Sequence, residues 1–164
     1  MYSIRLEGDT RRMLKKIKSF AELDKKAINK NLAEVVRNST LERFKRGKGP
    51  DGKAWQQSIR ANEKGGKTLV QTAQLRNSIR SKSDASGFAV GTNVKHAATH
   101  QFGEKGRVIR AKRAKALRFQ MDGEWYSKKK VKITIPARPY LGLDDDDMKE
   151  IKATVEDFIS KQEE

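Results

Sequence analysis

Four consecutive aspartates, Asp144-Asp145-Asp146-Asp147, most readily suggest chemistry in this chain, because clustered carboxylates can bind divalent cations or exchange protons. The cluster lacks the glycine-containing spacing of a calcium loop, and an amphipathic pattern follows it directly. Carboxylates in the first turn of a helix accept hydrogen bonds from free backbone N–H groups and interact favourably with the helix dipole. We therefore predict that these aspartates cap a helix rather than bind a metal.

His96 and His100 form a second candidate site, because two histidines four residues apart on a helix can bind zinc. No glutamate stands next to His96 as in the H-E-x-x-H motif, and no third ligand is evident. We predict instead that His100 makes a hydrogen bond that fixes the turn ending at Gly103, beside Phe102.

Motifs for catalysis are also missing from the sequence. The chain contains no cysteine, which excludes disulfides, thiolate metal sites and cysteine nucleophiles. It has neither a G-x-S-x-G elbow nor a phosphate-binding loop ending in Lys-Ser or Lys-Thr. We predict a protein that is not an enzyme and that needs no metal or cofactor. No apolar run is long enough for a membrane span, and we expect no signal peptide.

The order of helices and strands expected from the sequence predicts a single α+β domain over residues 1–164. Alternation at Tyr2, Ile4 and Leu6 predicts a short strand, and helical spacing predicts helices over about 9–19 and 22–46. A loop at 47–52, a short helix over 72–79, a hairpin closing near 84–87 and a helical turn over 95–102 follow.

Residues 104–136 predict a long basic β-hairpin arm. Strands are expected around 108–109, 117–121 and 131–135, and Asp122-Gly123 is a strong turn signal. An apolar stripe at helical spacing predicts a C-terminal helix over 144–162. We expect this helix to pack on a twisted, mostly antiparallel sheet.

Net charge is +16 and is unevenly distributed along the chain. Residues 139–164 hold nine acidic and three basic residues, whereas the rest of the chain is basic. The densest basic patch could bind nucleic acid, with Trp125 and Tyr126 stacking on bases, or could contact an acidic protein surface. Its members are Arg107, Arg110, Lys112, Arg113, Lys115, Lys128, Lys129 and Lys130. Segregated charge also suits head-to-tail contact between identical copies.

Three further patches combine turn-forming residues, aromatic residues and polar anchors, which is typical of a docking surface. We predict that they contact other proteins through Arg43, Phe44, Pro50, Asp51, Gly52, Trp55, His100, Gln101, Phe102, Gly103, Arg138, Pro139 and Tyr140. Arg138 lies between two prolines, and we expect its guanidinium to meet a fixed carboxylate, either in the 144–147 cluster or on a neighbouring subunit.

Five motifs in this order resemble the phage virion morphogenesis family. They are Arg43-Phe44, Pro50-Asp51-Gly52-Lys53-Ala54-Trp55, Thr72-Ala73-Gln74-Leu75-Arg76-Asn77-Ser78-Ile79, His100-Gln101-Phe102-Gly103 and Ile135-Pro136-Ala137-Arg138-Pro139-Tyr140-Leu141-Gly142. The resemblance extends from residue 41 to the C-terminus. It departs from the family pattern at Ala73, where a glycine is usual, and at residues 97–99, where an aromatic–alanine pair is usual.

The resemblance implies a structural protein of a phage or prophage that completes the tail or joins tail to head. Its expected partners are other tail, neck or connector proteins and further copies of itself, as a ring in the particle and as a monomer when free. The expected location is the virion, and the host cytoplasm during assembly. The alternative from the residues alone is a basic nucleic-acid-binding module that uses 107–115 and 128–130.

Overall fold

A computed structural model describes residues 14, 15, 18, 23–121 and 123–161 of the chain. The helices in this range are α1 (Lys25–Arg46), α2 (Ile59–Lys64), α3 (Gln74–Asn77), α4 (Ala97–Phe102) and α5 (Asp145–Ser160). The strands are β1 (Arg80–Ser83), β2 (Phe88–Gly91), β3 (Glu104–Arg110), β4 (Leu117–Met121), β5 (Glu124–Lys128) and β6 (Lys130–Ile135). The predicted α+β class is confirmed. The strand predicted at 2–6, and most of the helix predicted at 9–19, lie outside the described residues.

Helix α1 is the longest element of the described chain, and both of its ends are capped. Asp24 accepts a hydrogen bond from the Ala27 backbone N–H at 3.0 Å. At the other end, Gly47 has φ of 69° and donates its N–H to the Arg43 carbonyl at 2.7 Å. This left-handed conformation favours glycine and turns the chain back toward the helix. The buried face of α1 keeps helical spacing through Leu32, Ala33, Val36, Thr40, Arg43 and Phe44.

The strands form three separate two-stranded antiparallel sheets rather than the single sheet that we expected. The β1–β2 hairpin closes where Asp84 accepts hydrogen bonds from the Ser86 and Gly87 N–H groups, as the turn residues predicted. In the arm, β3 pairs with β6, and the β4–β5 hairpin is inserted between them. The Gly123 turn joins β4 to β5, which confirms that hairpin.

Helix α5 packs against α1 rather than against a sheet, so the predicted position of the C-terminal helix is wrong. The β1–β2 hairpin also packs against α1. The reason for the difference lies at the start of α5, where Asp147 is buried in an ion pair with Arg43 of α1. This contact fixes the first turn of α5 beside the end of α1.

A small core lies where α1, the following loop and the segment before α5 meet. Its buried members are Phe44, Trp55, Leu75, Ile79, Ala97 and Tyr140. Full burial of one large apolar side chain stabilises a fold by about 1.5–3 kcal/mol, so this cluster is a principal source of stability. No helix within the described ranges has the combined length and apolarity of a membrane span.

Candidate functional site

The loop after α1 is closed on itself by backbone hydrogen bonds. Gly49 and Gly52 participate in a tight turn, with Gly49 N–H donating to Lys53 O at 2.9 Å and Gly52 N–H to Gly49 O at 3.0 Å. The Trp55 N–H then donates to Gly47 O at 2.8 Å. Trp55 is thereby returned beside the end of α1, as its position after the Pro-Asp-Gly turn predicted. Asp51 and Gly52 remain exposed at the tip.

Segment 136–142 contributes Tyr140 to the core and is held there by the aromatic residues. The Trp55 indole Nε1–H donates to the Pro139 carbonyl at 2.8 Å. The Phe44 ring lies 5.5 Å from the Trp55 ring, in an edge-on arrangement, and 5.2 Å from the Tyr140 ring. The Tyr140 hydroxyl donates to the Ala97 carbonyl at 3.3 Å. Each of these two aromatic ring pairs stabilises the fold by about 0.5–1.5 kcal/mol beyond the effect of burial.

Gln101 binds the same segment through both ends of its amide. Its Oε1 accepts hydrogen bonds from the N–H groups of Tyr140 and Leu141, each at 3.0 Å, and its Nε2 donates to Leu141 O at 2.9 Å. One residue earlier in the same motif, the His100 carbonyl accepts from Arg138 N–H at 2.7 Å. The His-Gln-x-Gly motif therefore pairs with segment 136–142 much as a neighbouring strand would.

Arg43 connects α1, segment 136–142 and α5. Its Nη1 donates to the Tyr140 and Gly142 carbonyls at 3.3 and 2.7 Å, and its Nη2 donates to Asp144 at 3.1 Å and to Asp147. Arg43 is 4% exposed and Asp147 3% exposed. A buried guanidinium needs several acceptors, and backbone carbonyls and two carboxylates supply them for the two Nη atoms. The buried Nε has no hydrogen-bond partner in the described structure.

The aspartate cluster caps α5, which confirms the prediction for these residues. The Asp144 carboxylate accepts from Asp147 N–H at 2.8 Å, and the Asp147 carboxylate accepts from Asp144 N–H at 3.0 Å. Burial alone would raise the pKa of Asp144, but the backbone hydrogen bond from Asp147 and the Arg43 guanidinium lower it below its ordinary value. Capping and ion pairing thus act on the same two carboxylates.

Arg138 does not contact the aspartate cluster, so that alternative for its partner is wrong. Its Nε donates to the Gln56 carbonyl at 2.8 Å, and the side chain is 5% exposed. Arg43 takes the aspartates instead, because it lies on the face of α1 that meets the start of α5. Contact between Arg138 and a neighbouring subunit stays a prediction.

The two histidines lie edge to face, with ring centroids 5.6 Å apart. No group of three or more metal-ligating side chains occurs within the described residues. The predicted hydrogen bond of His100 is made by its backbone carbonyl and not by its imidazole, whose Nδ1 is buried and has no hydrogen-bond partner in the described structure. Burial lowers the pKa of His100, and the nearby His96 and Arg138 lower it further.

Close backbone contacts explain two of the motif glycines. Gly103 has φ of 72°, and a Cβ added there would lie 2.7 Å from Ala137 N. At Gly142, with φ of 150°, an added Cβ would lie 2.7 Å from the Pro50 ring. A larger residue at either position would force these segments apart. Three motifs that are distant in sequence therefore meet at contacts that only glycine allows.

The five motifs together form one internal cluster, which we call the motif junction: 43–44, 49–55, 75–79, 97–103 and 136–142. Leu75 and Ile79 contribute the Thr72–Ile79 motif to its core. The junction buries Phe44, Trp55 and Tyr140, so these residues help to fix the fold, and their contact with other proteins stays a prediction. Of the predicted contact residues, Asp51, Gly52 and Phe102 are exposed, Phe102 by 79%.

The basic arm, residues 104–136, contrasts with the junction because none of its described residues is buried. All eight predicted basic side chains are exposed. Exposed apolar side chains lie among them: Val108, Ile109, Met121 and Trp125. The Arg118 guanidinium lies 5.8 Å from the centre of the Trp125 ring, a cation–π contact.

The sequence did not lead us to predict that Arg43 and Gln101 hold segment 136–142 within the same chain. One signal was available for Arg43: it follows Val36 by seven residues, which places an arginine on the buried face of α1. A charged residue on an apolar stripe predicts a buried partner of opposite charge. Gln101 carries no such signal, because its partners are backbone atoms.

The model of one protein family matches the chain. The family is described as the phage virion morphogenesis family, and the match covers residues 8–160. Comparison with curated proteins and with solved structures found no match.

Proposed function

The chain belongs to the phage virion morphogenesis family, and we propose that it completes the phage tail or joins tail to head by protein–protein assembly. Membership supports a structural role in building the virion. The proposed role in tail completion or head–tail joining rests on the contrast between the buried motif junction and the exposed basic arm. Chemistry on a substrate is not part of the proposal.

The observation that carries the proposal is the composition and exposure of the basic arm. Val108 and Trp125 are 49% and 67% exposed, in an arm of which no described residue is buried. Exposed aromatic and aliphatic side chains among cations are typical of a protein-binding surface, whose centre is apolar and whose rim is charged. A partner that covers the arm would bury these side chains.

Charge complementarity favours a second copy of the chain as one such partner. The arm is strongly basic, whereas α5 presents exposed carboxylates at Asp145, Asp146 and Glu150. Contact between the arm of one copy and α5 of the next is heterologous, so successive copies close into a ring when the rotation permits. In this arrangement the free protein is a monomer and the assembled form is the ring.

The exposed motif residues offer a second contact, with tail, neck or connector proteins. Gly52 lies in the hydrogen-bonded turn after α1, and the neighbours of Phe102, Gln101 and Gly103, contact segment 136–142. A preorganised surface loses less entropy on binding than a mobile one does. The protein would then be found in the host cytoplasm during assembly and in the virion afterwards.

Electron microscopy of lysates tests this proposal. Phage whose own copy of the gene is replaced by the triple variant Lys112→Gln, Arg113→Gln and Lys115→Gln should accumulate separate heads and tails. The matched control neutralises three exposed lysines on α1, Lys25, Lys26 and Lys30, and removes the same charge. Joined particles at wild-type frequency in the arm variant, with both proteins equally abundant, would refute the proposed role of the arm.

Nucleic-acid binding is the alternative, and one observation favours it. Trp125 is 67% exposed beside Arg118, and this pair could stack on an unpaired base within the basic patch. The same triple variant separates the two functions in a gel-shift assay with generic duplex and single-stranded DNA at moderate salt. Micromolar binding that the arm variant loses and the α1 variant keeps would favour the alternative.

A further inference from the structure

A cavity of about 290 Å³ beside α3 and α4 has an unusual charge balance. Two arginines and two histidines line it, and no aspartate or glutamate does. The basic residues are Arg60, His96, His100 and Arg138. The remaining lining is polar or apolar, so nothing in the wall compensates the positive charge.

Arg138 has fewer hydrogen-bond partners than Arg60, the other arginine of the wall. Its side chain is 5% exposed, and its Nε is used by the Gln56 carbonyl. Neither Nη atom has a hydrogen-bond partner among the described residues, and no carboxylate in that part of the chain lies within ion-pair distance of the guanidinium. A cation that is largely withdrawn from water and has few acceptors favours the binding of an anion.

His100 supplies a second unpaired group at the same cavity. Its Nδ1 is buried and has no hydrogen-bond partner in the described part of the chain. Burial, His96 and Arg138 all lower the pKa of its imidazole. An anion in the cavity would oppose the repulsion from the Arg138 guanidinium and would raise that pKa.

We propose that this cavity is a binding site for a carboxylate group, presented by an aspartate, a glutamate or a chain terminus of a partner protein. The two Nη atoms of a guanidinium form a planar fork that matches the two oxygens of a carboxylate. Because Arg138 is 5% exposed, a carboxylate must enter the cavity to reach its Nη atoms. The carboxylate site does not depend on the proposed function. The idea that a partner protein supplies the carboxylate does rest on that function.

The chain itself provides the reporter for a direct test, because it contains only two histidines. Their imidazole signals in a carbon–proton NMR spectrum are assigned with a His96→Asn variant. Titration with glutarate, at ionic strength held constant with sodium chloride, should shift the His100 signal along a saturating curve. A pH titration should give a higher His100 pKa with glutarate than without it.

Arg138→Gln should weaken glutarate binding at least about tenfold, because it removes a charge-assisted pair. Arg113→Gln is the control, since it removes the same charge from the exposed arm. If Arg138→Gln fails to fold, the glutarate titration of the wild-type protein still shows whether the cavity binds a carboxylate. A linear, non-saturating shift, or tighter binding of inorganic phosphate than of glutarate, would overturn the proposal. Failure here leaves the lysate experiment unaffected, so the two ideas are tested separately.

Discussion

Replacement of Arg43 by methionine should destabilise the protein more than any change on the arm. The variant keeps most of the side-chain volume but removes hydrogen bonds to Gly142, Asp144 and Asp147. It also leaves Asp147, 3% exposed, as a buried carboxylate without its cation. Breaking a buried ion pair from one side costs about 3–5 kcal/mol.

Urea unfolding measures this loss through a single fluorophore. Trp55 is 7% exposed and Trp125 is 67% exposed, so a Trp125→Phe background makes the signal report the junction alone. With a slope of about 2 kcal/mol per molar urea, the Arg43→Met midpoint should fall by roughly 1.5–2.5 M. Trp125→Phe itself should shift the midpoint little, because exposed substitutions change stability by about 0.5 kcal/mol or less.

A double-mutant cycle tests the stated cause of the loss. Asp147→Asn alone should be destabilising, since Arg43 loses the more buried of its two carboxylate partners. Arg43→Met combined with Asp147→Asn should cost less than the sum of the two single losses, by about 1–3 kcal/mol, because no unpaired charge remains. Additive losses, or an Arg43→Met midpoint shift below about 0.3 M, would refute the reasoning.

Three smaller predictions concern backbone strain and pH. Gly103→Ala should cost about 2–3 kcal/mol of stability, seen as a fall in Tm of roughly 5–10 °C, because the added Cβ meets Ala137. The control Gly91→Ala should change Tm little, because no atom lies within 4 Å of a Cβ added there. Ala73 has φ of 54°, so Ala73→Gly should raise stability by up to about 1 kcal/mol in the same scan, and a loss would contradict the strain. The pKa of Asp144 is lowered in the folded state, so the stability that its carboxylate contributes is present above its unfolded pKa of about 4 and is lost as pH falls through the folded value. Asp144→Asn should therefore flatten the decline of the unfolding free energy with falling pH in that acid range. An unchanged slope would contradict this prediction.

Local signals in the sequence predicted the elements well where the physics is local. The Pro50-Asp51-Gly52 loop, the β1–β2 turn and the β4–β5 turn at Gly123 depend on φ preferences and on hydrogen bonds between near neighbours in sequence, which a few residues determine. The capping role of the 144–147 aspartates depends on the same kind of contact. The departure at Ala73 also has a local meaning: the residue stands in a left-handed conformation that glycine adopts without strain.

The errors concern contacts between distant parts of the chain. The choice between Arg43 and Arg138 as partner of Asp147 depends on which face of α1 meets α5, and composition does not contain that information. The position of α5 on α1 follows from the same contact. The motif residues combine aromatic and polar groups both in docking surfaces and in interior junctions, so their types alone do not distinguish the two.

Photo-crosslinking during infection tests most directly whether the arm is an assembly surface. A benzophenone amino acid at Val108 on the arm is compared with the same residue at Lys30 on the exposed face of α1. We predict that Val108 crosslinks to an identified tail, neck or connector protein, or to a second copy of this chain, and that Lys30 does not. Crosslinking of Val108 only to nucleic acid, or equal products from both positions, would contradict the role of the arm in virion assembly.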